Sequence, residues 1–230
     1  MCADMTHITH WVFDLDNTLY PSDAAVMSQV DQRMTEYVSR LLDVDRETAR
    51  ATQKHYWRTY GTTLSGLMKH HQVDTREFMD FVHDIDATVI TPDPRLRTHI
   101  ERLPGRRLIY TNGSVKHAEN ILDHLGIADL MEDIFDVEAA DFIPKPHPDG
   151  FARFVDRHAL PTAESVMFED SIRNLKTAHA LGFTTVLVRA KPGPRDEESA
   201  APDDHPDHVH FAVDCLPSFL GEIRTAETKD

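Results

Sequence analysis

Short apolar runs alternate with longer stretches of helical periodicity along this chain, and that alternation is its strongest pattern. Trp11–Phe13 is the first run; Arg107–Tyr110, Ile134–Val137, Ser165–Phe168, Thr184–Val188 and Val209–Val213 follow. Each is brief and dominated by β-branched, aromatic or aliphatic residues, as buried strands are. Between them, Ser114 is placed to cap a helix running to Leu125 and stopped by Gly126, and Ser171 to cap one running to Leu181 and stopped by Gly182. Strand, helix, strand at this spacing predicts a parallel sheet covered by helices on both faces. The expected fold class is α/β: a Rossmann-like parallel sheet core in three layers, α/β/α.

The stretch from 21 to 92 breaks the alternation. It holds no convincing strand, while Val26, Val30, Met34, Tyr37, Val38 and Leu41 recur at helical spacing. Asp74 and Glu77 resemble a capping box, with Phe78, Phe81, Val82 and Ile85 as the stripe behind it. Asp93-Pro94 then opens another helix, with Leu96, Ile100 and Leu103 inward. An all-helical cap over 21–92 is therefore expected to interrupt an α/β core formed by 1–20 and 93–230. Residues 191–208, rich in Pro, Asp, Glu and His, read as a solvated excursion before the last strand.

Composition narrows the function classes. With 230 residues, 40% of them hydrophobic, the chain can fill one substantial core carrying a small second unit. Its 24 basic and 39 acidic side chains leave a net charge of −15, which repels nucleic-acid polymers yet allows one small anion in a locally positive pocket. The only cysteines, Cys2 and Cys215, exclude a disulfide framework or a cysteine metal site. No signal peptide and no run of membrane-spanning length is seen, so no membrane partner and a cytoplasmic location are expected.

In an open α/β sheet, ligands bind beyond the carboxyl ends of the strands. Polar clusters fall at or just after such ends here. The first is Asp14-Leu15-Asp16. Burying two unpaired carboxylates is costly, so a divalent cation, a lysine or both is expected beside them. One carboxylate can attack phosphorus and form an acyl phosphate, while the other protonates the leaving oxygen and later takes a proton from water. Next, Thr111-Asn112-Gly113 offers a hydroxyl, an amide and free backbone N–H groups to phosphate oxygens at a helix start. Lys145-Pro146 supplies a charge against the repulsion between an anionic nucleophile and an anionic phosphate, about 4 kcal/mol per charge pair at ~4 Å and an effective dielectric of about 20. Glu169-Asp170, followed by Ser171 and Asn174, brings hard oxygen donors that suit Mg2+. Each cluster also has a plain structural explanation: turn carboxylates, a helix cap, a surface lysine, acidic residues complementing a helix dipole.

Taken in order, Asp14-Leu15-Asp16-Asn17-Thr18, Thr111-Asn112, Lys145-Pro146 and Glu169-Asp170 resemble the four motifs of the haloacid dehalogenase superfamily. The resemblance spans about Trp11 to Ala190 and includes the cap insertion. It implies that Asp14 is the nucleophile and Asp16 the general acid/base, and that Thr111, Asn112 and Lys145 hold the phosphoryl group. It also implies Mg2+ bound by the Asp14 carboxylate, the Asp16 main-chain carbonyl and the Asp170 carboxylate. Glu169 and Asn174 would support the site; many relatives carry Asp where Glu169 stands. The dehalogenating branch lacks the second aspartate, so Asp16 argues for phosphotransfer.

Within the cap, the stretch from Tyr56 to Leu67 resembles a segment of pyrimidine 5′-nucleotidase relatives. Aromatic residues there could stack on a base, with Tyr56, Trp57, Arg58 and Tyr60 as specificity candidates, or they could simply pack the cap. The expected activity is hydrolysis of small phosphate monoesters through an aspartyl phosphate, with pyrimidine nucleoside 5′-monophosphates as substrates. The partner is then a small phosphorylated metabolite, a nucleotide. The alternatives are a sugar-phosphate mutase or phosphatase of the same superfamily and a non-catalytic phosphometabolite-binding protein.

Overall fold

The computed structural model of the chain describes residues 3–189 and 205–226. Six parallel strands make one sheet in the order β3-β2-β1-β4-β5-β6: β1 (His10–Phe13), β2 (Arg106–Tyr110), β3 (Asp133–Phe135), β4 (Ser165–Glu169), β5 (Thr184–Val188) and β6 (Phe211–Val213). Order reverses on either side of β1, which pairs with both β2 and β4 and so lies at the switch point where such sheets bind ligands.

Period-two alternation sends neighbouring strand residues to opposite faces. Trp11, Phe13, Ile109, Phe168 and Val186 pack on one side with Ile100, Ile121, Leu122 and Leu220. These come from α5 (Pro94–Glu101), α6 (Val115–Leu125) and α9 (Leu216–Glu222). Val12, Leu108, Tyr110 and Met167 pack on the other with Phe151, Phe154 and Leu175 from α7 (Pro148–His158) and α8 (Ile172–Ala180). The result is the three-layer α/β/α arrangement.

Between β1 and β2 the described chain is helical, without a strand: α1 (Val26–Leu42), α2 (Arg46–Tyr60), α3 (Thr63–His70) and α4 (Thr75–Val82). Asp45, Thr62 and Asp74 cap the last three of these by accepting backbone N–H groups. These helices bury their own cluster, with Tyr37, Val38, Tyr56, Leu64, Leu67, Phe78 and Val82 inside. Gly66 permits the close α2–α3 contact, since a Cβ there would lie 2.3 Å from the Tyr56 ring.

Several local expectations shift. The third strand ends at Phe135, because Asp136 turns away to accept the backbone N–H groups of Val115 (3.1 Å) and Ala139 (2.8 Å). The last strand begins at Phe211, and α8 ends at Ala180 with no side-chain cap from Ser171. Helix α7 follows a Pro-rich stretch that the hydropathy pattern leaves without an element; Pro148 occupies its first turn and His147 caps it. Of the excursion expected over 191–208, positions 191–204 lie outside the described residues.

Candidate active site

Strand β1 is buried from Trp11 onward, and Asp14 continues it, donating its backbone N–H to the Phe168 carbonyl of β4 at 2.9 Å. The sheet thereby fixes where the Asp14 side chain emerges. Its Oδ1 accepts from Lys145 Nζ at 2.7 Å and its Oδ2 from the Thr18 hydroxyl at 3.0 Å. Lys145 is 3% exposed and spends its remaining donors on Glu169 Oε2 (2.7 Å) and the Tyr110 carbonyl (2.8 Å). A buried lysine with three oxygen partners is fully satisfied, whereas an unpaired one would be costly. Burial alone would lower its pKa, but Asp14 and Glu169 outweigh that and raise it.

Asp170 follows Glu169 at the end of β4 and accepts from Asn17 Nδ2 at 3.3 Å. Carboxylate oxygens of Asp14, Glu169 and Asp170 all lie within 4.8 Å of one another. Burial first, and then the Glu169 charge, push Asp14 up to about 7 despite Lys145. Burial, Glu169 and Asp14 raise Asp170 as well. Three clustered carboxylates answered by one lysine among the described residues leave a negative surplus. An all-oxygen acidic donor set with that surplus fits a hard divalent cation.

Asp16 faces elsewhere. Its Oδ1 accepts both from the Tyr20 hydroxyl (2.5 Å) and from His117 Nε2 (2.8 Å). Burial would raise its pKa, but the His117 charge and the hydrogen bonds from His117 and Tyr20 prevail and hold it at about 2. His117 is pulled the other way: burial opposes its charge, and Asp16 more than compensates, raising it. His83, beyond the end of α4, stacks on His117 with ring centroids 4.4 Å apart and planes 19° apart. Its Nδ1 lies 3.0 Å from the Ser114 hydroxyl. Burial, then His117, push His83 down to about 3, so it is neutral near pH 7.

Thr111 and Asn112 extend β2 beside Asp14. The Thr111 oxygen accepts the Gly113 N–H at 2.9 Å, leaving its own hydrogen free to donate. The Asn112 carboxamide closes on the main chain of Lys145, accepting its N–H (2.8 Å) and donating to its carbonyl (3.1 Å). It therefore anchors the loop that carries the lysine. Asn174 is buried on the first turn of α8, its N–H on the Ser171 carbonyl at 3.0 Å.

A cavity of about 570 Å³ opens between this sheet edge and the helices of 21–92. Asp16, Asn17, Asn112 and Gly113 form its floor, and Trp57, Lys54, Met34, Leu64 and His83 contribute to its walls. Among the four cap candidates the structure brings only Trp57 to this cavity, with 53% of its surface exposed. Tyr56 is buried in the α2–α3 contact with its hydroxyl 2.8 Å from His71 Nε2. Tyr60 pairs its hydroxyl with His70 at 2.6 Å, and Arg58 is an exposed residue outside the cavity lining.

From sequence, no role falls to Tyr20, His83 or His117, and Thr18 stands in the first motif without a role of its own. His117 had a readable signal: it shares the inward stripe of α6 with Ala118, Ile121, Leu122 and Leu125, and a histidine on an apolar stripe needs a polar partner inside.

The chain is similar to known proteins over most of its length. Phosphate metabolism protein 8 of Saccharomyces cerevisiae is 26% identical over 217 residues, covering 87% of this chain and 68% of the yeast protein. Glyceraldehyde 3-phosphate phosphatase of Methanocaldococcus jannaschii is 26% identical over 192 residues, covering 77% of this chain and 83% of that one. A haloacid dehalogenase-type phosphatase from Thermococcus onnurineus superposes with a TM-score of 0.60 at 19% identity, covering 94% of this chain and all of that one, a likeness of fold. The family model of the haloacid dehalogenase-like hydrolases matches residues 8–182. With strand β1 and Asp14, the buried lysine and the acidic pair all inside that match, this chain belongs to the haloacid dehalogenase-like hydrolases.

Proposed function

We propose that this hydrolase is a Mg2+-dependent phosphatase of small phosphate monoesters, acting through a phosphoryl group carried on Asp14, with pyrimidine nucleoside 5′-monophosphates as its substrates. In this reading 1–20 and 93–230 form the catalytic core and 21–92 the cap. One observation carries it: two aspartates a residue apart are held by opposite sets of partners. Asp14 is pinned between Lys145 and Thr18 beside an acidic cluster, and Asp16 is held by Tyr20 and His117. Two carboxyl groups with such different surroundings, one beside a lysine and an acidic pair and the other against a tyrosine and a histidine, are suited to different tasks.

Asp14 is the nucleophile. Lys145 fixes one of its oxygens and lessens its repulsion from an incoming phosphate. The Thr111 hydroxyl donates to a phosphoryl oxygen, and Asn112 serves by holding the lysine loop in place. Asp16 protonates the leaving oxygen and then takes a proton from water. The carboxylates of Asp14 and Asp170 and the main-chain carbonyl of Asp16 would hold Mg2+, which when bound neutralises carboxylate charge and polarises phosphoryl oxygens. Glu169 keeps Lys145 in position.

Substrate class rests on the cavity. Its volume is in the range of small-molecule sites, and Trp57 offers an exposed ring on which a base can stack. Release of inorganic phosphate from UMP or CMP, abolished by EDTA and by Asp14→Asn, tests the proposal. Turnover that survives Asp14→Asn contradicts it, and a rearranged sugar phosphate as product would indicate a mutase.

A further inference from the structure

The Asp16 carboxylate carries both of its hydrogen bonds on one oxygen. Tyr20 O–H and His117 Nε2 converge on Oδ1, and among the described residues no hydrogen bond reaches Oδ2. Asp16 lines the cavity, and its side chain is 20% exposed. Oδ1 is the anchored end of the group and Oδ2 the working end.

The anchors come from different parts of the chain. Tyr20 lies where the chain leaves the core for the helices of 21–92, four residues after Asp16. His117 belongs to the core helix α6 and its side chain is fully buried. His117 Nδ1 has no hydrogen-bond partner, so the ring meets Asp16 through Nε2 alone. His83 stacks on that ring from the far end of α4 and lies within hydrogen-bond distance of Ser114.

We propose that Tyr20 and His117 are positioning residues that fix the direction in which Asp16 delivers its proton, and that His83 couples this alignment to the seating of the cap. The inference rests on the phosphatase reading above and adds to it a reason why the acid/base is competent only when the cap is in place. With His83 displaced, the His117 ring loses its stacking partner, and its hydrogen bond to Asp16 is held less firmly.

Leaving-group dependence tests this. The ratio kcat/KM reports steps through departure of the leaving group and omits the later attack of water. An alkyl phosphate such as UMP needs its leaving oxygen protonated, and p-nitrophenyl phosphate does not. With Mg2+ present, His117→Phe keeps a ring beneath His83 and removes the donor. It is expected to lower kcat/KM for UMP at least about tenfold more than for p-nitrophenyl phosphate, a part of the 10²–10⁴-fold that acid–base catalysis supplies. His117→Gln, which restores an N–H donor at similar reach, should recover most of the difference. Tyr20→Phe and His83→Ala should shift the same ratio in the same direction by smaller factors, and His83→Phe less than His83→Ala. Equal losses on both substrates, or no recovery with His117→Gln, would overturn the positioning role while leaving the phosphatase intact. A protein that hydrolyses neither ester nor any other phosphate monoester would overturn the phosphatase reading, and this inference with it.

Discussion

The sheet edge and the cap contribute to one cavity in opposite ways. At the sheet edge charged groups are held by fixed partners: Lys145 has three oxygen partners, Asp14 two donors, Asp16 two donors on one oxygen. The cap side presents apolar walls from Met34 and Leu64 and a half-exposed Trp57. Buried charges demand fixed partners, because leaving one unpaired costs several kcal/mol. A recognition surface carries no such demand, since exposed aromatic area waits for a ligand to cover it. On the proposed function, the chemistry is set by residues that cannot move without penalty, and selectivity by residues that can change at little cost to the fold.

Substitutions on the two sides should therefore fail differently. Asp14→Asn removes the nucleophile and should lower turnover by on the order of 10⁴-fold or more, with KM and fold little changed, in steady-state assays. Asp16→Asn should cost roughly 10²–10⁴-fold with an alkyl leaving group and much less kcat/KM with a p-nitrophenyl one. Lys145→Met strands Asp14 and Glu169 beside each other and should cost about 3–5 kcal/mol in denaturant unfolding, besides activity.

A pH effect sharpens the contrast, because it belongs to the core alone. Burial and Glu169 raise Asp14 from the ordinary 3.8 to about 7. A carboxyl raised on folding stabilises the fold when protonated, and that contribution is lost as pH climbs toward and through about 7. Mg2+ needs the ionised form, so the increase in Tm on adding Mg2+ should be larger at pH 8 than at pH 6, by a few degrees at roughly 2–4 °C per kcal/mol for a chain of this size. An increase independent of pH would remove Asp14 from the cation site. The smallest effect is expected in the cap: Trp57→Ala should raise KM for UMP about tenfold, within the 1–3 kcal/mol of a base stack, and much less for glycerol phosphate. A uniform change across substrates would mean that Trp57 shapes the cap without reading a base.

The same contrast explains what could be read from sequence. Apolar runs ending in charge at Asp14 and Glu169 announce strands and a candidate site together, because buried apolar residues and clustered carboxylates adjoin there. Helix α7 went unread because Pro144, Pro146 and Pro148 look like a loop, although Pro148 is well placed in a first turn. The partners of Asp16 were hidden for a different reason. Tyr20 and His117 meet on Oδ1 only after α6 packs against the sheet, across a separation of 101 residues for His117. Trp57 and Tyr56 are neighbours in sequence, yet one faces the cavity and the other the α2–α3 contact, a distinction set by the helix face that packing selects. No helix among the described residues is long and apolar enough to cross a membrane.

Trapping the phosphoryl group tests the central claim most directly. The Asp16→Asn variant, whose dephosphorylation is slowed, is mixed with substrate and Mg2+, quenched in acid, digested and sequenced by mass spectrometry. The account predicts a phosphoryl group on Asp14, absent in the double variant with Asp14→Asn. A phosphoryl group on any other residue, or none during active turnover, would contradict it.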